Sequence, residues 1–170
     1  QIEEELKTLF PDAKTQRMDH DTTRKKHSYS QIIDDFERGN TDILIGTQMV
    51  TKGLDFDNVE VVGILNADSM LKFPDFRALE RAYQLMSQVA GRAGRKGDRG
   101  KVIIQTYDEK HEIIHQVKNH DYLQMCRKQL EERKIFKYPP YCRIISVNLQ
   151  HKNENKLDKL SKQFAISLRK

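Results

Sequence analysis

The chain of 170 residues has few cysteines and no long apolar run, and each scarcity argues against a class of protein. Its two cysteines, Cys126 and Cys142, do not form a C-x-x-C pair, which argues against a zinc site or a thiol redox motif built from this sequence. No apolar run approaches the ~20 residues that a membrane helix needs. The first residues, Gln-Ile-Glu-Glu-Glu, do not resemble a signal peptide. We therefore expect a cytoplasmic protein with reduced thiols and no membrane partner.

Positive charge is unevenly distributed along the chain, whose net charge is +5. Residues 109–170 contain 14 lysines and arginines against 7 acidic residues, whereas residues 1–108 contain 16 against 18. Lysine and arginine release counterions from phosphate backbones, so the basic part favours a polyanionic partner. A basic surface that is merely solvated would have the same composition.

The spacing of apolar residues predicts alternating helices and strands in residues 1–108. Helices are predicted from the start of the chain to Phe10, over 28–38 and over 76–89. Strands are predicted over 14–18, 42–47, 59–65 and 102–104, and the later ones are apolar enough for burial on both faces. Gly39 is expected to end the second helix in a left-handed conformation. The alternation favours a parallel, doubly wound α/β domain over 1–108, with a first strand expected upstream.

Residues 109–170 follow a different pattern. Helices are predicted over 111–118 and 120–134, and the Tyr-Pro-Pro-Tyr segment at 138–141 predicts a stiff, extended connector. Alternation over 143–149 predicts a strand, and 154–169 predicts an amphipathic helix. We expect a helical connector at 109–141 and the truncated start of a further α+β domain at 142–170.

The strongest functional signal is the segment 88–95, Gln-Val-Ala-Gly-Arg-Ala-Gly-Arg. Only small residues separate Arg92 from Arg95, so both guanidinium groups can approach a triphosphate without crowding. An arginine that contacts a transferring phosphoryl group is worth about 10³–10⁵ in rate. The simpler alternative is a flexible glycine-arginine surface loop that contacts RNA. The neighbouring helix and strand favour the first interpretation, because they place the segment at one end of a sheet, where open α/β folds bind ligands.

A second signal is the segment 46–56, Gly-Thr-Gln-Met-Val-Thr-Lys-Gly-Leu-Asp-Phe. Thr47 directly follows a predicted strand, where its hydroxyl and nearby backbone N–H groups can hold a nucleic-acid phosphate. Lys52 adds a positive charge. Asp55 can accept a hydrogen bond from a ribose hydroxyl. The alternative is an ordinary strand-to-helix connection with a solvated aspartate.

These two segments resemble motifs V and VI of the superfamily 2 helicases in their order and separation. The resemblance implies a RecA-like second helicase lobe of the P-loop NTPase type, which reaches across a cleft to ATP held by the first lobe. The roles that it implies are an arginine finger at Arg95, with Arg92 as second candidate, and nucleotide or lobe contact by Gln88. It further implies strand contacts by Thr47, with Lys52 beside it, and a link from the strand to the ATP cleft through Gly53 and Asp55.

Four further segments, at 17–23, 73–81, 105–107 and 138–141, make the chain similar to the PriA family of bacterial replication-restart helicases. That similarity covers about residues 1–150 and implies an ATP-dependent 3′–5′ DNA helicase that acts in primosome assembly at stalled forks. The implied cofactor is ATP with Mg²⁺, and zinc is expected only in an upstream cysteine region. The implied partners are forked or single-stranded DNA, other primosome and replication-restart proteins, and single-stranded-DNA-binding protein. Residues 142–170 would begin a DNA-binding domain.

The sequence also departs from a complete helicase, because it contains no G-x-x-x-x-G-K-[ST] phosphate loop and no DEAH-like box. We therefore expect this chain alone to be inactive. Two other interpretations stay open, namely a lobe of another superfamily 2 translocase or repair helicase and a non-catalytic nucleic-acid-binding module. A metal role is not favoured for Asp19 and Asp21 or for the histidines His111, His115 and His120. Tyr138 and Tyr141 could stack on bases, although packing against the motor lobe is the favoured use.

Overall fold

Residues 2–19, 28–47, 59–91, 93 and 100–168 are described by the computed structural model. The chain divides into two units, Gln1–Glu131 and Glu132–Lys170. The first unit therefore extends past residue 108, the predicted end of the α/β domain. Among the described residues, no helix has the length and apolarity to cross a membrane.

The first parallel strand pair lies near the start of the chain. It is formed by β1 (Thr15–Met18) and β2 (Ile43–Gly46), which align Thr15 with Ile43 and Met18 with Gly46. Helix α1 (Ile2–Leu9) precedes the pair and α2 (Ser28–Glu37) connects its strands. Met18 and Ile32 form a small buried cluster, against which Tyr29, Ile33 and Phe36 pack. These apolar residues form the inner face of α2.

Gly39 ends α2 as predicted, with a φ of 72°. The Gly39 N–H donates to the Phe36 carbonyl and the Asn40 N–H donates to the Asp35 carbonyl, at 3.1 and 2.8 Å. This pair of bonds is the Schellman pattern, in which a left-handed residue satisfies the last carbonyls of a helix. Gly39 therefore turns the chain sharply towards β2.

The second parallel pair is formed by β3 (Val61–Ile64) and β4 (Lys101–Ile104). Between them lie α3 (Ala67–Leu71), which the apolar spacing did not predict, and the long helix α4 (Ala78–Ala90). β4 alternates between exposed and half-buried residues, and β2 is half-buried at most. The expectation of strands buried on both faces is therefore wrong for the described residues, because each pair has only two strands.

The main core lies between the second strand pair and the helices after it. Its buried members from α4 are Ala82, Tyr83 and Met86, and α5 (Glu112–Lys118) and α6 (Tyr122–Ile135) add Ile113, Val117 and Met125. Lys128 of α6 pairs with Glu112 of α5. The two helices that were predicted as a connector thus contribute to the core of the first unit.

The second unit differs from the sequence-based expectation at two places. Tyr138 accepts hydrogen bonds from the N–H groups of Tyr141 and Cys142, so the Tyr-Pro-Pro-Tyr segment is a turn and the predicted extended connector is wrong. Residues 143–150 form no strand, since the described part of the chain offers them no partner to pair with. Helix α7 (Glu154–Leu168) is confirmed, but none of its residues is buried.

Candidate functional site

Thr47 is exposed and directly follows the carboxyl end of β2. The parallel register aligns Met18 with Gly46, so the chain leaves β1 and β2 side by side at this edge. Carboxyl ends of parallel strands are the usual ligand-binding edge of open α/β sheets. The structure therefore places Thr47, an exposed residue, at the edge where open α/β sheets usually bind ligands.

Gln88 is exposed and lies two residues before the last residue of α4, Ala90. The opposite face of α4 is fixed in the core by Tyr83 and Met86, and Val89 packs against the same cluster. A side chain on a helix held in this way has a well-defined position. Gln88 is thus presented rigidly, four residues before Arg92 in the sequence.

The segment 88–95, called the arginine segment below, joins the strand at a different end from the one that the sequence led us to expect. Gly91 continues from the end of α4, where its N–H donates to the Ser87 carbonyl at 3.0 Å, and Gly100 precedes the first residue of β4. Its attachment is therefore at the amino end of β4, opposite to the carboxyl end that the ligand-edge rule indicates. The reason is topological, because a helix-to-strand connection in a parallel fold enters the next strand at its amino end.

Gly91 itself has ordinary helical angles, φ −68° and ψ −2°. An added Cβ would meet only the carbonyl oxygens of Ser87 and Gln88, at 3.5 and 3.6 Å, which is normal van der Waals contact. Within the described part of the chain, neither backbone conformation nor crowding requires a glycine at this position.

Most of the predicted site residues lie outside the described ranges. These are Arg92, Arg95, Lys52, Gly53 and Asp55, so their roles stay predictions. Asp21 also lies outside, whereas Asp19 accepts a 2.6 Å hydrogen bond from the Arg17 guanidinium. His111 begins α5, with its Nδ1 accepting the Ile113 N–H. In the described ranges, no three His, Cys, Asp or Glu side chains are grouped as metal ligands.

A polar cleft at the carboxyl ends of β3 and β4 was not predicted. It has a volume of about 250 Å³ and is lined by Asn66, Asp68, Gln105, Thr106 and Tyr107. Asn66 follows β3 and Gln105 directly follows β4, so two amide side chains emerge at one edge of the parallel pair. Each amide by itself has a sequence signal, since it comes at or next to the end of an apolar strand, but no local pattern shows that the two strands are neighbours.

Asp68 joins the two sides of this cleft. It is 6% exposed, and its Oδ2 accepts the Tyr107 N–H at 2.9 Å. That backbone hydrogen bond lowers the pKa of Asp68 below its ordinary value, and the Thr106 hydroxyl acts in the same direction. Asp68 is therefore a fixed negative charge at neutral pH, which disfavours a phosphate group in the cleft.

Asn66 has an unusual backbone for a residue with a side chain, with φ 51° and ψ 54° in the left-handed region. Its N–H donates to the Gln105 Oε1 at 3.1 Å, and its carbonyl accepts the Ser69 hydroxyl at 2.8 Å. These bonds fix the backbone at the point where the chain leaves β3. The Asn66 side chain is thereby held at the rim of the cleft.

Comparison with known families gives one match that covers more than half of the chain. The model of the helicase conserved C-terminal domain matches residues 1–97, a range that includes both the 46–56 and the 88–95 segments. The match ends before β4, α5 and α6. It therefore covers every residue to which a site role was given from the sequence.

Individual relatives agree with that match. Replication restart protein PriA of Synechocystis sp. is 42% identical over 165 residues, which are 97% of this chain and 20% of that protein. Replication restart protein PriA of Bacillus subtilis is 46% identical over 150 residues, 88% of this chain and 19% of that protein. The chain therefore spans about a fifth of the length of the curated relatives it matches. Among solved structures, the C-terminal domain of the DEAD-box protein Dbp5 has a TM-score of 0.46 and 18% identity, covering 74% of this chain and 72% of that one.

Proposed function

The chain belongs to the helicase conserved C-terminal domain family, and from this premise we propose that it is the second motor lobe of an ATP-dependent DNA helicase of replication restart. The observation that carries the proposal is the family match over residues 1–97, which spans both candidate motifs. The identity of 42–46% to replication restart protein PriA supports restart as the process. Translocation in the 3′–5′ direction is part of the proposal.

Arg95 is the proposed arginine finger and Arg92 its second candidate. Bound ATP with Mg²⁺, held mainly by the first lobe, would supply the phosphoryl chemistry. The arginines would stabilise the negative charge that develops there, since guanidinium is permanently charged and pairs with phosphate oxygens. The fixed position of α4 supports this use, because the helix that leads into the segment is held in the core.

Thr47 and Lys52 are the proposed contacts to the tracked DNA strand. The exposure of Thr47 at the carboxyl end of β2 supports this role. Gly53 and Asp55 would connect that strand contact to the nucleotide cleft, with Gln88 contacting the nucleotide or the first lobe. The proposed partners are forked or single-stranded DNA, other primosome proteins and single-stranded-DNA-binding protein.

The test is ATP hydrolysis by the complete protein that contains this segment, with Arg95→Ala against Arg127→Ala. Arg127 is an exposed arginine on α6, and its side chain makes no hydrogen bond or ion pair with a described residue. We expect Arg95→Ala to lower DNA-stimulated ATP turnover by about 10³-fold, because the transition-state charge loses its finger. Arg127→Ala should leave the turnover unchanged.

The same assay separates the proposal from a non-catalytic nucleic-acid-binding module. If Arg95→Ala and Arg92→Ala both retain turnover within tenfold of the wild type, the arginine segment is not part of the ATPase site. The 170-residue chain by itself should hydrolyse no ATP, since the phosphate loop is not in its sequence. Measurable ATP turnover by this chain would contradict the proposal that ATP is held mainly by the first lobe.

A further inference from the structure

We propose that the polar cleft of Asn66, Asp68, Gln105, Thr106 and Tyr107 binds a nucleobase, the base of a DNA strand held by this lobe. The inference rests on the proposed function for its ligand class, but it uses none of the residues assigned there. Its position supports a strand contact, because the cleft and Thr47 each follow the carboxyl ends of parallel strands.

Size and charge decide which part of a nucleic acid fits. The cleft, at about 250 Å³, is smaller than the ~300–1,000 Å³ of pockets that enclose a drug-sized ligand, so it suits one base of a longer molecule. The fixed carboxylate of Asp68 repels a phosphate at this point. A neutral base with amino donors is favoured instead, since a carboxylate accepts hydrogen bonds from such groups.

Two amide groups at the cleft offer both donors and acceptors. The Gln105 Oε1 accepts the Asn66 N–H, while the Gln105 Nε2 and the Asn66 side-chain amide donate to no described residue. Asparagine and glutamine amides pair with base edges, which also carry donors beside acceptors. The cleft thus has free hydrogen-bonding groups of the type that a base requires.

Tyr107 supplies a stacking surface. Its side chain is 95% exposed, although its backbone N–H is fixed by Asp68. A large aromatic side chain that is this exposed buries no area in the fold, and aromatic rings in such positions stack on bases of single strands. Tyr107 therefore lines the same cleft as the two amide residues and Asp68, at one edge of the β3–β4 pair.

The experiment measures the affinity of the complete protein for a fluorescein-labelled single-stranded oligonucleotide by anisotropy. We expect Tyr107→Ala to weaken binding about tenfold, whereas Tyr107→Phe keeps the ring and stays within about twofold of the wild type. Asn66→Gly removes the amide but retains the left-handed backbone, and should weaken binding about threefold to tenfold. Because Tyr107 is exposed, its replacement does not disturb the core.

Two further probes identify the source of the base. An abasic oligonucleotide of equal length keeps every phosphate, so wild type and Tyr107→Ala should bind it equally. Fluorescent N-methylanthraniloyl-ATP tests the base of the nucleotide. A loss on Tyr107→Ala with this probe but not with DNA would assign the cleft to the adenine of ATP and overturn the DNA assignment.

Failure of the inference and failure of the proposed function have different signatures. If Tyr107→Ala and Asn66→Gly bind both probes like the wild type, the cleft binds no base, whatever Arg95→Ala does to ATP turnover. If Arg95→Ala retains ATP turnover while Tyr107→Ala loses affinity, the assignment of the cleft to a base is supported and the assignment of Arg95 as arginine finger is contradicted. A wild type that binds neither probe overturns both.

Discussion

Helices α4 and α7 are of similar length and both carry an apolar stripe, yet they make opposite use of it. α4 buries Ala78, Ala82, Tyr83 and Met86. α7 buries none of its residues, and Leu160 and Phe164 are 54% and 40% exposed. Periodicity therefore predicts which face of a helix is apolar, but not whether anything covers that face. Burial depends on elements that are distant in sequence.

The largest expected effect is at the centre of the α4 core. Met86 is fully buried, so Met86→Ala should leave a cavity and lower the free energy of unfolding by about 2–5 kcal/mol. Urea denaturation followed by circular dichroism measures the change. A loss below about 1 kcal/mol would mean that the core around α4 repacks, and the contrast with α7 would weaken.

A smaller effect is expected at the end of α2. In the number of residues that it buries, this helix lies between α4 and α7, because it buries only Ile32. Gly39→Ala should cost about 1 kcal/mol, since Gly39 has φ 72° and alanine is strained there. The matched control is Gly63→Ala in β3. An added Cβ has open space at both glycines, but φ is positive only at Gly39.

The same denaturation experiment compares the two glycine variants directly. Gly63→Ala should be neutral or slightly stabilising, because alanine restricts the unfolded chain more than glycine does. Equal losses for both variants would show that the cost is not conformational. The Schellman end of α2 would then have no special contribution to stability.

The smallest effect is expected on α7. Leu160→Ser should change the free energy of unfolding of this chain by less than about 0.5 kcal/mol, because more than half of the residue is already exposed. The urea midpoint of Leu160→Ser, compared with that of Met86→Ala, measures the contrast between the helices. A loss of 2 kcal/mol or more would show that the stripe of α7 is covered in solution.

Much of the first unit could be predicted from the sequence, because its signals are local. All four strands and the helices of the first unit other than α3 lie close to the predicted positions, and both strand pairs are parallel as expected. The fold class, a RecA-like helicase lobe, is confirmed by the family match. Gly39 illustrates such a local signal, since a glycine that follows the apolar face of a helix commonly ends that helix in the left-handed conformation.

The errors arose where structure depends on a partner. Residues 143–149 alternate like a strand, but alternation without a neighbouring strand forms no ladder. α3 has five residues, too few for a helical period to appear. Of the candidate site, Thr47 and Gln88 are exposed, as their predicted roles require. The polar cleft around Asp68 depends on β3 and β4 being adjacent, and no local sequence pattern reveals that adjacency.

The register of β1 against β2 determines how this strand pair would resist a pulling force in the proposed motor lobe. A load applied at Thr47 along β2 acts parallel to both strands, and the ladder from Thr15–Ile43 to Met18–Gly46 resists it in shear, with every hydrogen bond loaded together. Peeling the strands apart would break those bonds one after another at much lower force. If Thr47 contacts DNA as proposed, the strand would pull on an anchorage made of the four residue pairs of this ladder.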